Sequence, residues 1–160
     1  MSTRAPRAAR TPPSPKQRAT ALDAEPLALV DEAGHLLRRA HQAAVAAFHA
    51  THGRDVTPVQ YAVLRTLADR PGIDQVTLAD AVALDTSTTA DIAARLDAKG
   101  WIERELLPRR QRALRLTPAG EAVLAAMLPQ VRPMYGSLLA PLSAAERAQL
   151  LDLLKRIVQV

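Results

Sequence analysis

Cysteine is absent from the sequence, which excludes a disulfide framework, a thiolate metal site and a cysteine nucleophile. Aromatic residues are scarce, at 2% of the 160 residues, whereas 48% of the residues are hydrophobic. A core of this composition must be built from Ala, Leu and Val, which favours packed helices over a β-sandwich. This length predicts about one domain with a single sizeable core.

Long apolar runs are missing too, since no stretch approaches the ~20 apolar residues of a membrane-spanning helix. The basic N-terminus lacks the apolar segment of a secretory signal, so we expect a soluble, cytoplasmic protein with no membrane partner. The sequence shows no Gly-rich phosphate loop, nucleophile motif or convincing triad, which predicts no enzyme activity and no cofactor. His49 and His52 have metal-ligand spacing without a third ligand nearby, so no metal site is predicted.

The net charge of +5 is unevenly distributed. Residues 1–18 hold five of the 21 basic residues and no acid, which leaves 16 basic residues against 16 acids in the remainder. Residues 1–20 are rich in Pro, Arg, Ala, Ser and Thr without an apolar period, and we predict a disordered basic tail. This tail either adds nonspecific DNA affinity or is a solvated leader without a role.

Helical periodicity predicts amphipathic helices at both ends of the chain. The first covers residues 25–52, roughly 40 Å at 1.5 Å per residue, which is longer than a small core needs. A capping box at Ser143 and Glu146 opens the last helix, which is unusually apolar for a lone surface helix. We predict that residues 21–56 and 118–160 form a helical dimerisation region of a homodimer; the alternative is an intramolecular bundle.

Residues 57–117 carry the signals of a winged helix-turn-helix. Three helix starts are marked, in order, by Thr57 with Gln60, by Thr77 with Asp80, and by Asp85 or Thr86. Gly100 marks the end of the third of these helices. Alternation then predicts two strands, 101–106 and 112–117, with Leu114 and Leu116 on the face opposite Ala113 and Arg115. Glu103 and Glu105 are placed to pair with arginines across this hairpin. The predicted fold is mainly α with a small β-hairpin wing.

At this point the chain resembles the MarR family of bacterial winged-helix regulators, over residues 25–160. The matching residues are Thr57-Pro58-x-Gln60-Tyr61-x-Val63-Leu64, Arg70-Pro71-Gly72, Leu78-Ala79, Asp85-x-Ser87-Thr88, Arg95-Leu96-x-x-Lys99-Gly100-x-Ile102-x-Arg104 and Leu114-x-Leu116-Thr117-x-x-Gly120. The resemblance implies a twofold dimer that binds pseudo-palindromic operators, usually as a repressor, and releases DNA when a small aromatic acid binds. Within the family, the branch that represses nicotinate-type catabolism would imply a hydroxylated pyridine carboxylate as effector.

The chain departs from the family's pattern at two places. Pro108 replaces the Asp of the usual Asp-Arg-Arg triplet at the wing tip, so the ion pair that orients one tip arginine is missing. Pro129 and Pro133 should kink or break the helix that follows the wing, which the family uses for dimerisation.

We predict that DNA is contacted by the second helix of the helix-turn-helix and by the wing. Short hydroxyls at a helix start suit phosphates and base edges, and arginines on a hairpin tip supply nonspecific affinity. The candidates are Thr86, Ser87, Thr88, Thr89, Asp91, Arg95, Lys99, Arg109, Arg110 and Arg112. The alternatives are simple N-capping for the hydroxyls and a solvated face for the arginines.

His35, Arg38 and His41 follow each other at three-residue spacing on the first helix and so share a stripe. The family resemblance places aromatic carboxylates beside this helix, where Arg38 would hold the carboxylate and Tyr61 would hydrogen-bond or stack. The alternative is that His35 and Arg38 are surface or dimer contacts and that Tyr61 belongs to the core.

The main alternative function is a non-sequence-specific architectural DNA-binding protein. Its expected property is equal affinity for unrelated duplexes, whereas the uncharged polar helix favours readout of particular bases. A protein-interaction module would lack DNA binding altogether.

Overall fold

The computed structural model describes residues 27–106 and 112–160. The described chain forms two units, one ending at Ala40 and one covering His41–Val160. The first unit has one 3-10 turn, Leu29–Asp31, and the first part of helix α1 (Ala33–His52). The backbone is extended at Glu32, between the turn and the helix. The continuous helix that we expected over residues 25–52 is therefore wrong at its start.

The second unit is mainly helical and contains a small sheet, as predicted. After the second part of α1 it contains α2 (Pro58–Asp69), β1 (Ile73–Asp74), α3 (Gln75–Val82), α4 (Thr86–Ala98), β2 (Ile102–Leu106), β3 (Arg112–Leu116), α5 (Pro118–Leu138) and α6 (Ala144–Val158). Helices α3 and α4 are the helix-turn-helix, and β2 with β3 is the wing hairpin. The structure confirms the predicted mainly helical fold with a winged helix-turn-helix.

Local capping signals set most helix starts. Thr57 and Gln60 make the predicted capping box of α2, and Ser143 with Glu146 makes that of α6. The start of α3 differs from the prediction, because the Asp74 carboxylate accepts hydrogen bonds from the backbone N–H groups of Val76 and Thr77. The helix therefore begins at Gln75, and Thr77 lies inside it.

The sheet has three antiparallel strands in the order β1-β3-β2. Strand β1 was not predicted; Ile73 pairs with Leu114 and Asp74 with Ala113. Because β3 is central, Ala113 is buried together with Leu114, so the alternation expected of a half-buried strand does not hold at this position. The expected pairing of Glu105 is confirmed, since its Oε2 lies 3.8 Å from Nε of Arg115.

The core of the second unit lies among α2, the helix-turn-helix and the root of the wing. Leu64, Leu78, Leu96 and Leu114 are each fully buried in it. Helix α5 begins at the predicted Thr117 cap and runs unbroken through Pro129 and Pro133. Of the two predicted effects, the break does not occur, and the kink remains a prediction.

Helix α6 differs from the others because none of its residues is buried. Leu151, Leu153, Ile157 and Val158 remain exposed, with Ile157 at 62%. Of the helices in residues 27–106 and 112–160, none is both long and apolar enough to cross a membrane.

Candidate nucleic-acid interface

The turn between α3 and α4 fixes the direction of α4. Ala83 adopts a left-handed conformation (φ 55°, ψ 47°), and its N–H together with that of Leu84 bonds back to the end of α3. Such a turn is normally occupied by Gly or Asn, so Ala83 is a strained position held by its surroundings. The turn places the N-terminus of α4 at the surface.

Asp85 organises the exposed start of α4. Its Oδ1 accepts from the Ser87 hydroxyl at 2.5 Å and from the Thr88 N–H at 2.8 Å, and its Oδ2 accepts from the Thr88 hydroxyl at 2.6 Å. The hydrogen bonds from Ser87 and then Thr88 hold the pKa of Asp85 far below its ordinary value. The helix start therefore carries a carboxylate at physiological pH.

This arrangement changes what the predicted hydroxyls can do. Ser87 and Thr88 are exposed, as is Thr86, but the hydroxyl hydrogens of Ser87 and Thr88 point to Asp85. Their oxygens retain lone pairs, which accept from base amino groups. As donors to phosphate they would first have to leave the carboxylate of Asp85.

Thr89 does not belong to this surface. Its side chain is fully buried, and its hydroxyl donates to the carbonyl oxygen of Asp85 at 2.9 Å. A residue without exposed surface cannot reach a base edge, so the prediction of Thr89 as a DNA contact is wrong. In a helix, neighbouring positions such as 88 and 89 point in different directions.

Further along α4, Asp91 and Arg95 are exposed, as the predicted contacts require. Lys99 is already engaged, because its Nζ donates to the backbone oxygen of Asp55 at 2.5 Å and lies 4.3 Å from the centre of the Trp101 ring. This cation–π contact and the hydrogen bond tie the end of α4 to its neighbours. A DNA contact by Lys99 would compete with both interactions.

Arg104 in β2 was absent from the predicted site, yet it joins the wing to α4. Its guanidinium is mostly buried, with Nε 3.4 Å from Oδ2 of Asp97 and Nη2 donating to the carbonyl oxygen of Ala90 at 3.5 Å. The available signal was alternation, because Ile102 faces the core and Arg104 shares its face of the strand.

The wing tip arginines Arg109 and Arg110 lie outside the described residues, as does the side chain of Arg112. At the root of the wing, Arg115 lies directly against Gly72, where a Cβ would approach its Nη2 to 2.9 Å. The three predicted tip contacts remain predictions.

The predicted ligand residues occur in both units. In the first unit, Nη2 of Arg38 lies 3.5 Å from Nδ1 of His35 on the surface of α1. In the second, Tyr61 packs with its ring centre 5.7 Å from that of Phe48, and burial raises the pKa of its hydroxyl. Their common site remains a prediction.

The second unit has further histidines, of which only His41 belonged to the predicted stripe. His52 packs against Phe48 with ring centres 4.8 Å apart, and burial lowers its pKa. His41 and His49 line an open groove of about 870 Å³ along α1, together with Arg54. In the part of the chain that the structure describes, no three His, Asp or Glu side chains are grouped to hold a metal ion.

Comparison with known proteins agrees with this architecture. The model of the MarR family matches residues 56–114, from just before the cap of α2 to the middle of β3. The transcriptional regulator HosA of Escherichia coli is 36% identical over 134 residues, which are 82% of this chain and 98% of HosA. The transcriptional repressor NicR of Pseudomonas putida is 33% identical over 140 residues, 86% of this chain and 89% of NicR.

Solved structures agree as well. PcaV of Streptomyces coelicolor, in complex with its natural ligand, superposes with a TM-score of 0.79 at 35% identity, covering 85% of this chain and 98% of PcaV. BpsR of Bordetella bronchiseptica, whose DNA binding is regulated by 6-hydroxynicotinic acid, superposes with a TM-score of 0.78 at 31% identity, covering 85% of this chain and 100% of BpsR. A MarR mutant of E. coli bound to operator DNA superposes with a TM-score of 0.73 at 26% identity, covering 78% of this chain and 91% of the MarR chain. The chain is a DNA-binding transcriptional regulator and belongs to the MarR family.

Proposed function

We propose that the protein is a homodimeric repressor that binds a pseudo-palindromic operator and is released by a small aromatic carboxylate. The observation that carries the DNA-binding part is the start of α4, which is exposed, polar and fixed by Asp85. A helix start of this kind reads base edges more readily than it neutralises phosphates. NicR, a relative that is a repressor, supports the direction of regulation.

Dimerisation is proposed from the uncovered apolar side chains. Leu27, Leu29 and Val30 are exposed in the first unit, and Leu151 and Ile157 in the second. Large exposed apolar side chains at both ends of one chain are typical of a surface that a partner covers. Two copies would present two α4 helices to half-sites about one DNA turn apart.

The effector is proposed to be a hydroxylated aromatic or pyridine carboxylate. Arg38 offers a guanidinium beside His35, and Tyr61 offers a partly buried hydroxyl. The regulation of BpsR by 6-hydroxynicotinic acid supports this class of compound for a related chain. By binding one arrangement of the dimer better than the other, the effector would shift the population away from the operator-binding spacing.

The DNA-binding proposal is tested by a gel-shift titration of the purified protein on the DNA upstream of its own gene. The control is a scrambled duplex of the same length and composition. We expect a shift on the first duplex that survives competitor DNA and a much weaker one on the second. Equal shifts on both duplexes would support the architectural alternative and contradict the proposal.

The effector is tested on the same complex by adding 6-hydroxynicotinic acid or 4-hydroxybenzoic acid, with nicotinamide as the uncharged control. We expect a carboxylate to dissociate the complex while the protein stays folded by circular dichroism. Arg38→Gln should raise the carboxylate concentration needed to dissociate the complex by about tenfold, since it removes a charge-assisted hydrogen bond. If no compound of this class changes DNA affinity, the ligand-responsive part is wrong.

A further inference from the structure

Arg104 makes two contacts with α4 from the neighbouring strand. Its Nη2 donates to the Ala90 carbonyl and its Nε lies against the Asp97 carboxylate. Ala90 and Asp97 are seven residues apart, about two helical turns. One side chain of the wing therefore spans half the length of the helix that would enter the major groove.

Burying the charged side chain of Arg104 costs free energy, which indicates that this residue does more than add stability. Its side chain is only 17% exposed, and its Nε has no aligned hydrogen-bond acceptor although Asp97 is 3.4 Å away. Asp97 is 46% exposed, and an ion pair with an exposed partner contributes little to stability. One hydrogen bond to the backbone of α4 and one ion pair two turns further along do, however, restrict the orientation of β2 on α4.

We propose that Arg104 is a positioning residue for operator binding: it holds α4 and the wing hairpin at the angle that lets both contact one duplex. This inference rests on the proposed DNA-binding function. The contacts of α4 and of the wing with DNA strengthen each other only when both can be made to one duplex at the same time. A wing hairpin that moves relative to α4 would keep its basic residues but would lose much of this gain in affinity.

The first test measures the helix–wing geometry without DNA. Because the chain has no cysteine, spin labels can be attached at Asp91→Cys on α4 and Glu103→Cys on β2, both exposed positions. Labelled protein is diluted with unlabelled protein so that distances within one chain dominate. We expect one narrow distance distribution in the otherwise native chain and a broader or shifted one with Arg104→Ala. An unchanged distribution would overturn the proposal, whatever the protein does with DNA.

The second test measures operator affinity by fluorescence anisotropy over a salt series. Arg104→Ala should bind about tenfold more weakly at every salt concentration without a change in the salt slope. Arg110→Ala, the matched comparator for a phosphate contact, should lower the slope by about one. Arg104→Lys keeps the charge but lacks the guanidinium fork, so it should not restore affinity.

The outcomes separate the competing roles. A slope lowered by about one in Arg104→Ala would make Arg104 a phosphate contact and overturn the proposal. A lowered melting temperature with unchanged affinity would make it only a structural residue. If Arg104→Ala does not fold, Asp97→Asn at the half-exposed partner carries the test, with weaker binding at an unchanged slope expected and unchanged binding contradicting it. If the native protein binds no duplex selectively, the proposed function fails, and the spin-label result still decides the positioning role.

Discussion

Helices α4 and α6 have similar lengths but very different surroundings. In α4, Thr89, Ala93 and Leu96 are buried in the core, and Lys99 anchors its end to neighbouring elements. Helix α6 has a complete capping box and an apolar face, yet no residue of it is buried. Local signals therefore suffice to start both helices, but only α4 finds its packing partners within the described chain. Packing within the described chain therefore fixes α4, whereas the exposed face of α6 fits the proposed dimer, in which a partner would cover it.

The largest effect should follow from a charge on the apolar face of α6. Ile157→Glu is expected to dissociate the proposed dimer and to weaken operator binding by about 100-fold, because the two half-sites are then bound independently. Light scattering and anisotropy measure the two effects. Gln149→Glu, which adds the same charge at an exposed polar position of α6, should change neither. A dimeric, fully active Ile157→Glu protein would remove the assembly role of α6.

The packed region can be disrupted at Gly120, where a Cβ would overlap the carbonyl oxygen of Trp101. Gly120→Ala should lower the free energy of unfolding by about 2 kcal/mol, because the backbone must shift to relieve the overlap. Gly136 lies in the same helix with open space around it. Gly136→Ala should therefore raise the free energy of unfolding by about 0.5 kcal/mol. Urea denaturation measures both, and equal effects would show that the Trp101 contact is unimportant.

A smaller effect is expected at the cap of α4. Asp85→Ala removes the acceptor of the Thr88 N–H and should destabilise the protein by about 1 kcal/mol, whereas Asp85→Asn should retain most of the cap. Both changes release the Ser87 and Thr88 hydroxyls from a carboxylate, so affinity for a scrambled duplex should rise. Thermal unfolding and anisotropy test the two expectations separately. A cap that can be removed without loss of stability would show that packing alone fixes α4.

The smallest effect concerns pH. Burial lowers the pKa of His52 in the folded protein, so the unfolded chain binds the proton more readily. The contribution of neutral His52 to folding stability is complete above the pKa that His52 has in the unfolded chain, about 6.5. This contribution is lost as the pH falls through the lower pKa of the folded protein. Between about pH 7.5 and 5.5 the free energy of unfolding should therefore fall more in the native protein than in His52→Phe. Identical pH dependence in the two proteins would contradict this.

Much of the fold follows from signals within a few residues. The caps at Thr57, Asp85, Thr117 and Ser143 each place a helix start correctly because the partner groups lie within one turn. The failures involve partners distant in sequence. Ala113 is buried because β3 also pairs with β1, which lies far before it in the chain, and alternation along one strand does not reveal a third strand.

The candidate site shows the same limit. Thr88 and Thr89 are chemically identical, but only the direction in which each points from α4 decides which is exposed. The engagement of Lys99 with Asp55 and of Arg104 with Ala90 depends on contacts between separate elements. Composition and motif therefore predict the DNA-binding surface, and packing decides which residues are exposed on it.

The central claim, that two fixed α4 helices read one operator, is tested most directly by selection from a pool of random-sequence duplexes. After several rounds on the native protein we expect an inverted repeat whose half-sites are centred about 10 base pairs apart. The same selection on Ile157→Glu should recover isolated half-sites without fixed spacing. A native pool that shows no enriched sequence, or only one unpaired half-site, would contradict the claim.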